Sequence, residues 1–110
     1  MKLAVIGSRS LADISLEKYV PESVDLIVSG GAHGVDALAE EYARGRGIPI
    51  IVILPEYERY GRAAPIVRNK KIVDTADEVL AFWNGTSRGT LSVINYAKKI
   101  GKPISVIVCS

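Results

Sequence analysis

The sequence predicts an α/β fold with a parallel, five-stranded sheet between two layers of helices. Five short runs rich in Val and Ile are almost continuously apolar, which is typical of strands buried on both faces of a parallel sheet. Stretches with apolar residues at three- and four-residue spacing separate these runs, so strands and helices alternate. Right-handed crossovers between such strands give a three-layer sandwich. The predicted strands are Leu3–Gly7, Asp25–Ser29, Pro49–Leu54, Glu78–Trp83 and Pro103–Cys109.

Two of the connecting helices have well-marked boundaries. They are predicted over Gly34–Arg46 and Ser87–Ile100, and each keeps its apolar residues on one face. Gly47 and Gly101 follow directly, at the position where glycine commonly ends a helix in the left-handed conformation. Both helices therefore begin shortly after a strand, the second and the fourth.

Two further helices have less regular patterns. A helix is predicted over Ala63–Thr75, with Pro65 in the first turn, where the backbone amides have no partner within the helix. Another is predicted over Leu11–Val20, with Asp13 or Ser15 as its cap and a proline directly after it. No linker, repeat or low-complexity segment interrupts the alternation.

Composition limits the possible functions. With 110 residues, 48% of them hydrophobic, the chain is predicted to form one domain over residues 1–110. A net charge of +2 gives no global basic field, so an anionic ligand must be bound locally. The single cysteine, Cys109, and the single histidine, His33, argue against a disulfide and a structural metal. The apolar runs are too short for a signal peptide or a membrane span, so we expect a cytoplasmic protein.

The glycine-rich segment from Val28 to Asp36 is the most informative part of the sequence. It places Gly30, Gly31 and Gly34 between an apolar strand and an amphipathic helix. Such a turn directs unpaired amides and the positive end of a helix dipole at one point, where an anion can bind. A tight turn alone would also explain these glycines, and both interpretations stay open. If the amides hold a phosphate, Gly31→Val is expected to block it and to leave the fold mostly intact.

Four predicted loops bring polar residues to one edge of the sheet. In open α/β sheets, ligands bind beyond the carboxyl ends of the strands, near the point where the strand order reverses. Glycines let a ligand approach the backbone, and hydroxyl and guanidinium groups donate to phosphate oxygens. The candidate binding residues in these loops are Gly7, Ser8, Arg9, Ser29, Gly30, Gly31, Ala32, Gly34, Val35, Asp36, Trp83, Gly85, Thr86, Ser87, Arg88, Gly89 and Thr90. A helix cap for Ser87 and solvated positions for Arg9 and Arg88 are the alternatives.

Four side chains have specific candidate roles. Asp36 lies in the first turn of a predicted helix, where a carboxylate favours the dipole, and binding of a ribose hydroxyl is the second interpretation. His33 has the chemistry of an acid or base but no evident partner, and a place in the turn explains it as well. Trp83 and Tyr57 could stack on a nucleobase, although packing accounts for the tryptophan equally well.

Three common signatures are absent from the sequence. The dinucleotide fingerprint G-x-G-x-x-G belongs after the first strand, where the chain has only Gly7, and no P-loop G-x-x-x-x-G-K-[ST] occurs. There is also no G-x-S-x-G nucleophile elbow. A standard NAD dehydrogenase, a P-loop NTPase and an α/β-hydrolase are therefore not expected.

Five segments form a distinctive set: Gly7–Arg9, Ser29–Ala37, Arg68–Asn69, Ala76–Asp77 and Ala81–Thr90. They resemble the SLOG superfamily of Rossmann-like domains, which includes the DNA-processing protein DprA, the LOG phosphoribohydrolases and small YspA-like proteins. The resemblance spans nearly the whole chain and is closest to the YspA-like branch. It implies a nucleotide pocket formed by the loops after strands one, two and four. It also adds Arg68 and Asn69 to the candidate site, although their pattern alone fits a solvated helix face.

The chain also departs from two members of this superfamily. LOG enzymes carry P-G-G-x-G-T-x-x-E, whose glutamate serves cleavage of a nucleotide's N-glycosidic bond, whereas Gly89-Thr90-Leu91 here continues into Ser92-Val93. DprA has further domains and loads a recombinase onto single-stranded DNA, and this chain ends after its fifth strand. Neither hydrolysis by the LOG route nor DNA loading is expected.

We therefore expect the chain to bind or sense a nucleotide or a related phosphorylated ligand. Arg9, Arg68 and Arg88 would neutralise a phosphate held by the loop amides. The alternatives are a nucleotide N-glycosidase, with Glu56 or Asp36 as general acid, and a DprA-like binder of single-stranded nucleic acid. No metal and no membrane partner are expected, no cofactor besides the expected nucleotide ligand is indicated, and a homo-oligomer is compatible with the sequence.

Overall fold

Five parallel strands form one sheet in the order β3-β2-β1-β4-β5. The computed structural model describes residues 1–11 and 13–109. The strands are β1 Lys2–Gly7, β2 Leu26–Ser29, β3 Ile50–Val52, β4 Glu78–Trp83 and β5 Ile104–Val108. From β1 the chain builds outward through β2 to β3, and then returns to the other side of β1 for β4 and β5. The predicted Rossmann-like α/β sandwich is confirmed, and its strand order reverses between β1 and β4.

The helices are α1 Val35–Arg46, α2 Tyr57–Tyr60, α3 Ala64–Thr75 and α4 Arg88–Lys99. The three long helices lie within one residue of their predicted bounds. Gly47 caps α1 in the left-handed conformation, with φ of 68°, and donates its amide to the carbonyls of Ala43 and Arg44. The hydroxyl of Ser87 caps α4 by accepting from the amide of Thr90. Local capping chemistry thus fixes where α1 ends and where α4 begins.

Alternate residues of β1 pack on opposite faces of the sheet. Leu3 and Val5 join the core layer under α1, whereas Ala4 and Ile6 join the layer under α3 and α4. This two-sided burial is the reason why the strands are almost continuously apolar. Among the described residues, no helix has both the length and the apolar character that a membrane crossing requires.

The prediction of a helix over Leu11–Val20 is wrong. The described residues of this segment contain only a 3₁₀ turn, Leu16–Lys18, and Ala12 lies outside the described residues. Leu11, Leu16 and Val20 are buried against the α1 side of the core. Their spacing of five and then four residues does not form a continuous helical stripe, and no side chain caps the turn. Burial of these few anchors, rather than helical periodicity, determines the conformation.

The short α2 and the 3₁₀ turn Gly61–Ala63 lie between the third strand and α3, where no helix is predicted. Helices this short have little stability of their own, because nucleation fixes several residues for one hydrogen bond. Sequence periodicity therefore gives little sign of them. They carry the chain from the edge strand β3 to the start of α3.

Candidate functional site

A cleft of about 440 Å³ opens at the carboxyl ends of the strands. Its volume is in the range of small-molecule sites. The loops after β1, β2 and β3, one side of α3 and the N-terminal part of α4 form its walls. The predicted residues that line it are Gly7, Arg9, Gly30, Gly31, Ala32, His33, Asp36, Tyr57, Arg68, Asn69, Ser87, Gly89 and Thr90. The predicted location at the strand ends is therefore where the structure has its cleft.

The remaining predicted residues lie outside the lining: Ser8, Ser29, Gly34, Val35, Trp83, Gly85, Thr86 and Arg88. Several of them hold the turn between β4 and α4. The hydroxyl of Ser8 is buried, accepts from the amide of Asn84 at 3.1 Å and lies 3.4 Å from the hydroxyl of Thr90. The indole of Trp83 donates to the carbonyl of Ser87 at 3.0 Å. These side chains position the N-terminus of α4 rather than face the cleft.

Two glycines allow β1 and its loop to pack closely against α1. A Cβ on Gly7 would lie 2.5 Å from Cγ2 of Val35, so this position has no room for a side chain. Gly34 has φ of 74°, and a Cβ there would lie 2.6 Å from the backbone oxygen of Arg9. Val35 is itself fully buried under the sheet. Packing alone therefore accounts for these two glycines.

Gly31 lines the cleft but also packs against the end of β3. Its φ is 71°, and a Cβ there would lie 2.8 Å from Leu54 and 2.9 Å from Val52. Valine would add a strained backbone and two close contacts. The expectation that Gly31→Val leaves the fold mostly intact is corrected by this geometry. A variant at Gly31 would not separate lost binding from lost stability.

Two backbone amides of the glycine-rich loop already donate hydrogen bonds to other groups of the protein. The amide of Ala32 donates to Oδ2 of Asp36 at 3.2 Å, and the amide of Gly31 donates to the hydroxyl of Ser29 at 3.4 Å. The carboxylate of Asp36 thus stands at the N-terminus of α1, where the sequence analysis expected a phosphate. This part of the expected phosphate cradle is filled by the chain itself.

Asp36 is 6% exposed, and burial raises the pKa of its carboxyl group above the usual range. The amide of Ala32 and the charge of Arg68 act in the opposite direction but do not offset the burial. Arg68 reaches the same place from α3, donating from Nη1 to the carbonyl of Gly30 at 2.7 Å and from Nε to Asn69 at 2.8 Å. A Cβ on Gly30 would lie within 3 Å of both Nη1 and Oδ2, so glycine lets the two charged groups flank one stretch of backbone.

The N-terminus of α4 offers a second position for an anion. Ser87, Gly89 and Thr90 line the cleft there, and Arg9 lines it from the β1 loop. Within residues 1–11 and 13–109, the amides of Arg88 and Gly89 have no protein acceptor. The guanidinium of Arg9 forms no ion pair within that part of the chain either. Free amides and the positive end of a helix dipole therefore lie on the α4 side of the cleft. Arg9, whose backbone packs against Gly34 at the start of α1, lines the same cleft.

The opposite end of the cleft is apolar and lies beyond β3. Leu54 is 62% exposed and Tyr57 is 61% exposed, and both line the cleft. Tyr57 is predicted from the sequence and Leu54 is not, because the predicted third strand runs to Leu54 whereas the strand ends at Val52. The apolar floor is not predicted either, since nothing in the sequence marks these core residues as open to a cleft: Ile6, Ile72 and Val93.

Comparison with known proteins agrees with the resemblance. The profile of the family described as YspA, cpYpsA-related SLOG matches residues 1–60, a segment that spans β1, β2, α1 and β3. The gene 61 protein of Mycobacterium phage D29 is 35% identical over 85 residues, covering 72% of this chain and 68% of the phage protein. The Gly7–Arg9 segment and the glycine-rich loop both fall within the matched residues. The chain belongs to the YspA, cpYpsA-related SLOG family, a nucleotide-related group of Rossmann-like domains.

Proposed function

We propose that the cleft binds a nucleoside 5′-monophosphate or a closely related phosphorylated nucleoside. The observation that carries this proposal is the pairing of two unlike ends in one cleft. One end has the free amides of α4, and the other has the exposed apolar side chains of Leu54 and Tyr57, while the cation of Arg9 lines the same cleft. A phosphate suits the first end, and a nucleobase suits the second.

The strand order supports one orientation of the ligand. The N-terminus of α4 follows β4, Arg9 follows β1, Asp36 follows β2, and Tyr57 follows β3. Neighbouring strands lie roughly 4.8 Å apart, so the span from β4 to β3 is about 14 Å. An extended nucleotide would place its phosphate over α4, its sugar near Asp36 and its base near Tyr57.

The phosphate position is rigidly built. Thr90 is buried, its amide donates to the hydroxyl of Ser87 at 3.3 Å, and its own hydroxyl lies 3.4 Å from that of Ser8. Asn84 accepts from the amide of Ser87 at 2.8 Å. Because these bonds hold the first turn of α4 before any ligand arrives, little ordering is needed on binding. The free amides are thus preorganised for an anion.

Tyr57 is the better candidate for stacking on the base. Its ring is exposed at the apolar end of the cleft, whereas the indole of Trp83 is bonded to the carbonyl of Ser87 and packs against the core. Aromatic rings stack on any base face, so this contact tolerates different bases. We propose that the base lies between Tyr57 and Leu54.

The positions of the carboxylates favour binding of the nucleotide without its cleavage. Glu56 does not line the cleft, and it pairs with Lys71 at 2.9 Å, which lowers the pKa of its carboxyl group. The position that holds the LOG glutamate is Val93, an apolar part of the cleft floor. Asp36 is the carboxylate on the described lining, and it already accepts a loop amide. We therefore propose a binding role rather than N-glycosidic hydrolysis.

Gly89→Ala tests the phosphate position. Gly89 lines the cleft, and a Cβ there meets no atom within 4 Å, so alanine fits the fold but places a methyl group beside the free amides. We expect the Kd for AMP, measured by titration calorimetry, to rise about tenfold, a loss of ~1.4 kcal/mol. Gly45→Ala is the matched control, because Gly45 is also helical and open but lies outside the cleft lining.

Alanine favours a helix by up to about 1 kcal/mol over glycine, so neither variant is expected to lose stability. Lost affinity in Gly89→Ala alone would then come from the site and not from partial unfolding. Equal AMP affinity in wild type and both variants would refute a phosphate at α4.

A further inference from the structure

We propose that Asp36 restricts the cleft to nucleotides whose sugar hydroxyls are free, and excludes sugars phosphorylated at those hydroxyls, including the internal residues of a strand. This inference rests on the proposed function. The ligands of the cleft are then mononucleotides that carry phosphate only at the 5′ end.

The first step is the position of the carboxylate. Asp36 lines the middle of the cleft, between the anion position at α4 and the apolar end at Tyr57. Its Oδ2 accepts from the amide of Ala32 at 3.2 Å, the backbone of Gly30 also lies close enough to favour the charged carboxylate, and Oδ1 accepts no well-formed hydrogen bond from the described residues. No fully buried side-chain oxygen of those residues lacks a partner, so Oδ1 retains some exposed surface, and Asp36 lines the cleft. One carboxylate oxygen is therefore left for a ligand.

The second step is the charge. An ionised carboxylate accepts hydrogen bonds only, so its free oxygen matches a hydroxyl donor. Arg68 forms no direct ion pair with Asp36 among the described residues, because its guanidinium is directed to Gly30 and Asn69. The charge of Asp36 is thus not cancelled by a paired cation, and the side chain is only 6% exposed, which limits screening by water.

The third step is the consequence for the sugar. Free 2′ and 3′ hydroxyls donate to Oδ1, whereas a phosphate or phosphodiester at either position brings a second negative charge and no donor. Like charges brought together at a poorly solvated position weaken binding. A 5′-phosphate escapes this repulsion because it lies over α4, away from Asp36.

Asp36→Asn is a suitable test because it is expected to fold. Asparagine retains an oxygen for the amide of Ala32, but it removes the charge and replaces the free oxygen with an NH2 donor, so the sugar hydroxyls lose their acceptor and a sugar phosphate gains a donor. Burial raises the pKa of Asp36, so the ionised group is less stable in the folded chain than in the unfolded one, and its neutral replacement removes that destabilisation at neutral pH. Asp74→Asn is the control, since Asp74 is exposed on α3, accepts from Tyr96 and lies outside the lining.

The experiment measures the Kd of AMP, adenosine 3′,5′-bisphosphate and a short oligoadenylate by calorimetry at fixed ionic strength. We expect wild type and Asp74→Asn to bind AMP at least about tenfold more tightly than the bisphosphate, and Asp36→Asn to narrow that ratio to about threefold or less. Wild type that binds AMP and the bisphosphate equally, or an Asp36→Asn ratio equal to that of wild type, overturns the inference alone. Wild type that binds none of the three probes overturns the proposed function together with it.

Discussion

Arg68→Met is expected to weaken AMP binding by about 10- to 100-fold. Two of the guanidinium donors bond to Gly30 and Asn69, and the others remain free to donate to sugar or phosphate oxygens in the cleft. A hydrogen bond to a charged group contributes about 1.5–3 kcal/mol, which corresponds to this range of affinity. Calorimetric titration of the variant with AMP measures the loss.

Lys70→Met is the control for Arg68→Met. Lys70 is the exposed neighbour on α3, lies over the ring of Tyr96 at 5.7 Å and is outside the cleft lining. Lys70→Met removes the same charge from the same helix as Arg68→Met, so a general electrostatic effect would weaken AMP binding equally in both variants. If Arg68→Met retains the affinity of wild type, Arg68 has no contact with the ligand.

Gly7→Ala is expected to lower the free energy of unfolding by about 2–3 kcal/mol. A Cβ at Gly7 would lie 2.5 Å from Cγ2 of Val35 and 2.8 Å from the backbone oxygen of Phe82. The carbonyl belongs to the neighbouring strand β4 and cannot rotate away, so β1 or α1 must shift, and overpacking of this kind typically costs 1–3 kcal/mol. Urea denaturation followed by circular dichroism measures the change.

Gly45→Ala again serves as the control, because its added methyl group meets no atom within 4 Å. It is expected to match or exceed the stability of wild type. The same close packing that excludes a side chain at Gly7 brings the N-terminus of α1, and with it Asp36, to the cleft. Unchanged stability in Gly7→Ala would mean that this approach is looser than the geometry indicates.

The sequence predicted the parts of the fold that follow from periodicity and capping. The strands show as apolar runs because helices cover both faces of the sheet, and α1 and α4 have clear boundaries at Gly47 and Ser87. The helix prediction for the segment from Leu11 to Val20 failed because a few buried residues hold this segment in an irregular conformation. Only tertiary contacts, which no local pattern encodes, determine its conformation.

The sequence predicted that loops would meet at the strand ends, where the structure has a cleft, because parallel strands share one carboxyl edge. The directions of individual side chains could not be predicted. Two hydrogen bonds depend on distances within the folded turns: the one from the amide of Ala32 to the carboxylate of Asp36, and the one from the indole of Trp83 to the carbonyl of Ser87. Glycines are ambiguous for the same reason, since Gly34 serves close packing whereas Gly89 is open.

The most direct test follows the backbone amides by ¹⁵N NMR during titration with AMP, inorganic phosphate and adenosine. AMP and phosphate are expected to shift the amide signals of Arg88 and Gly89 in a saturable way, because these first-turn amides of α4 have no acceptor among the described residues and Gly89 lines the cleft. Adenosine is expected to shift Leu54 and Tyr57 and to leave the α4 signals in place. A saturable AMP titration that leaves Arg88 and Gly89 unmoved, or no saturable shift at all, would contradict a nucleotide cleft with its phosphate at α4.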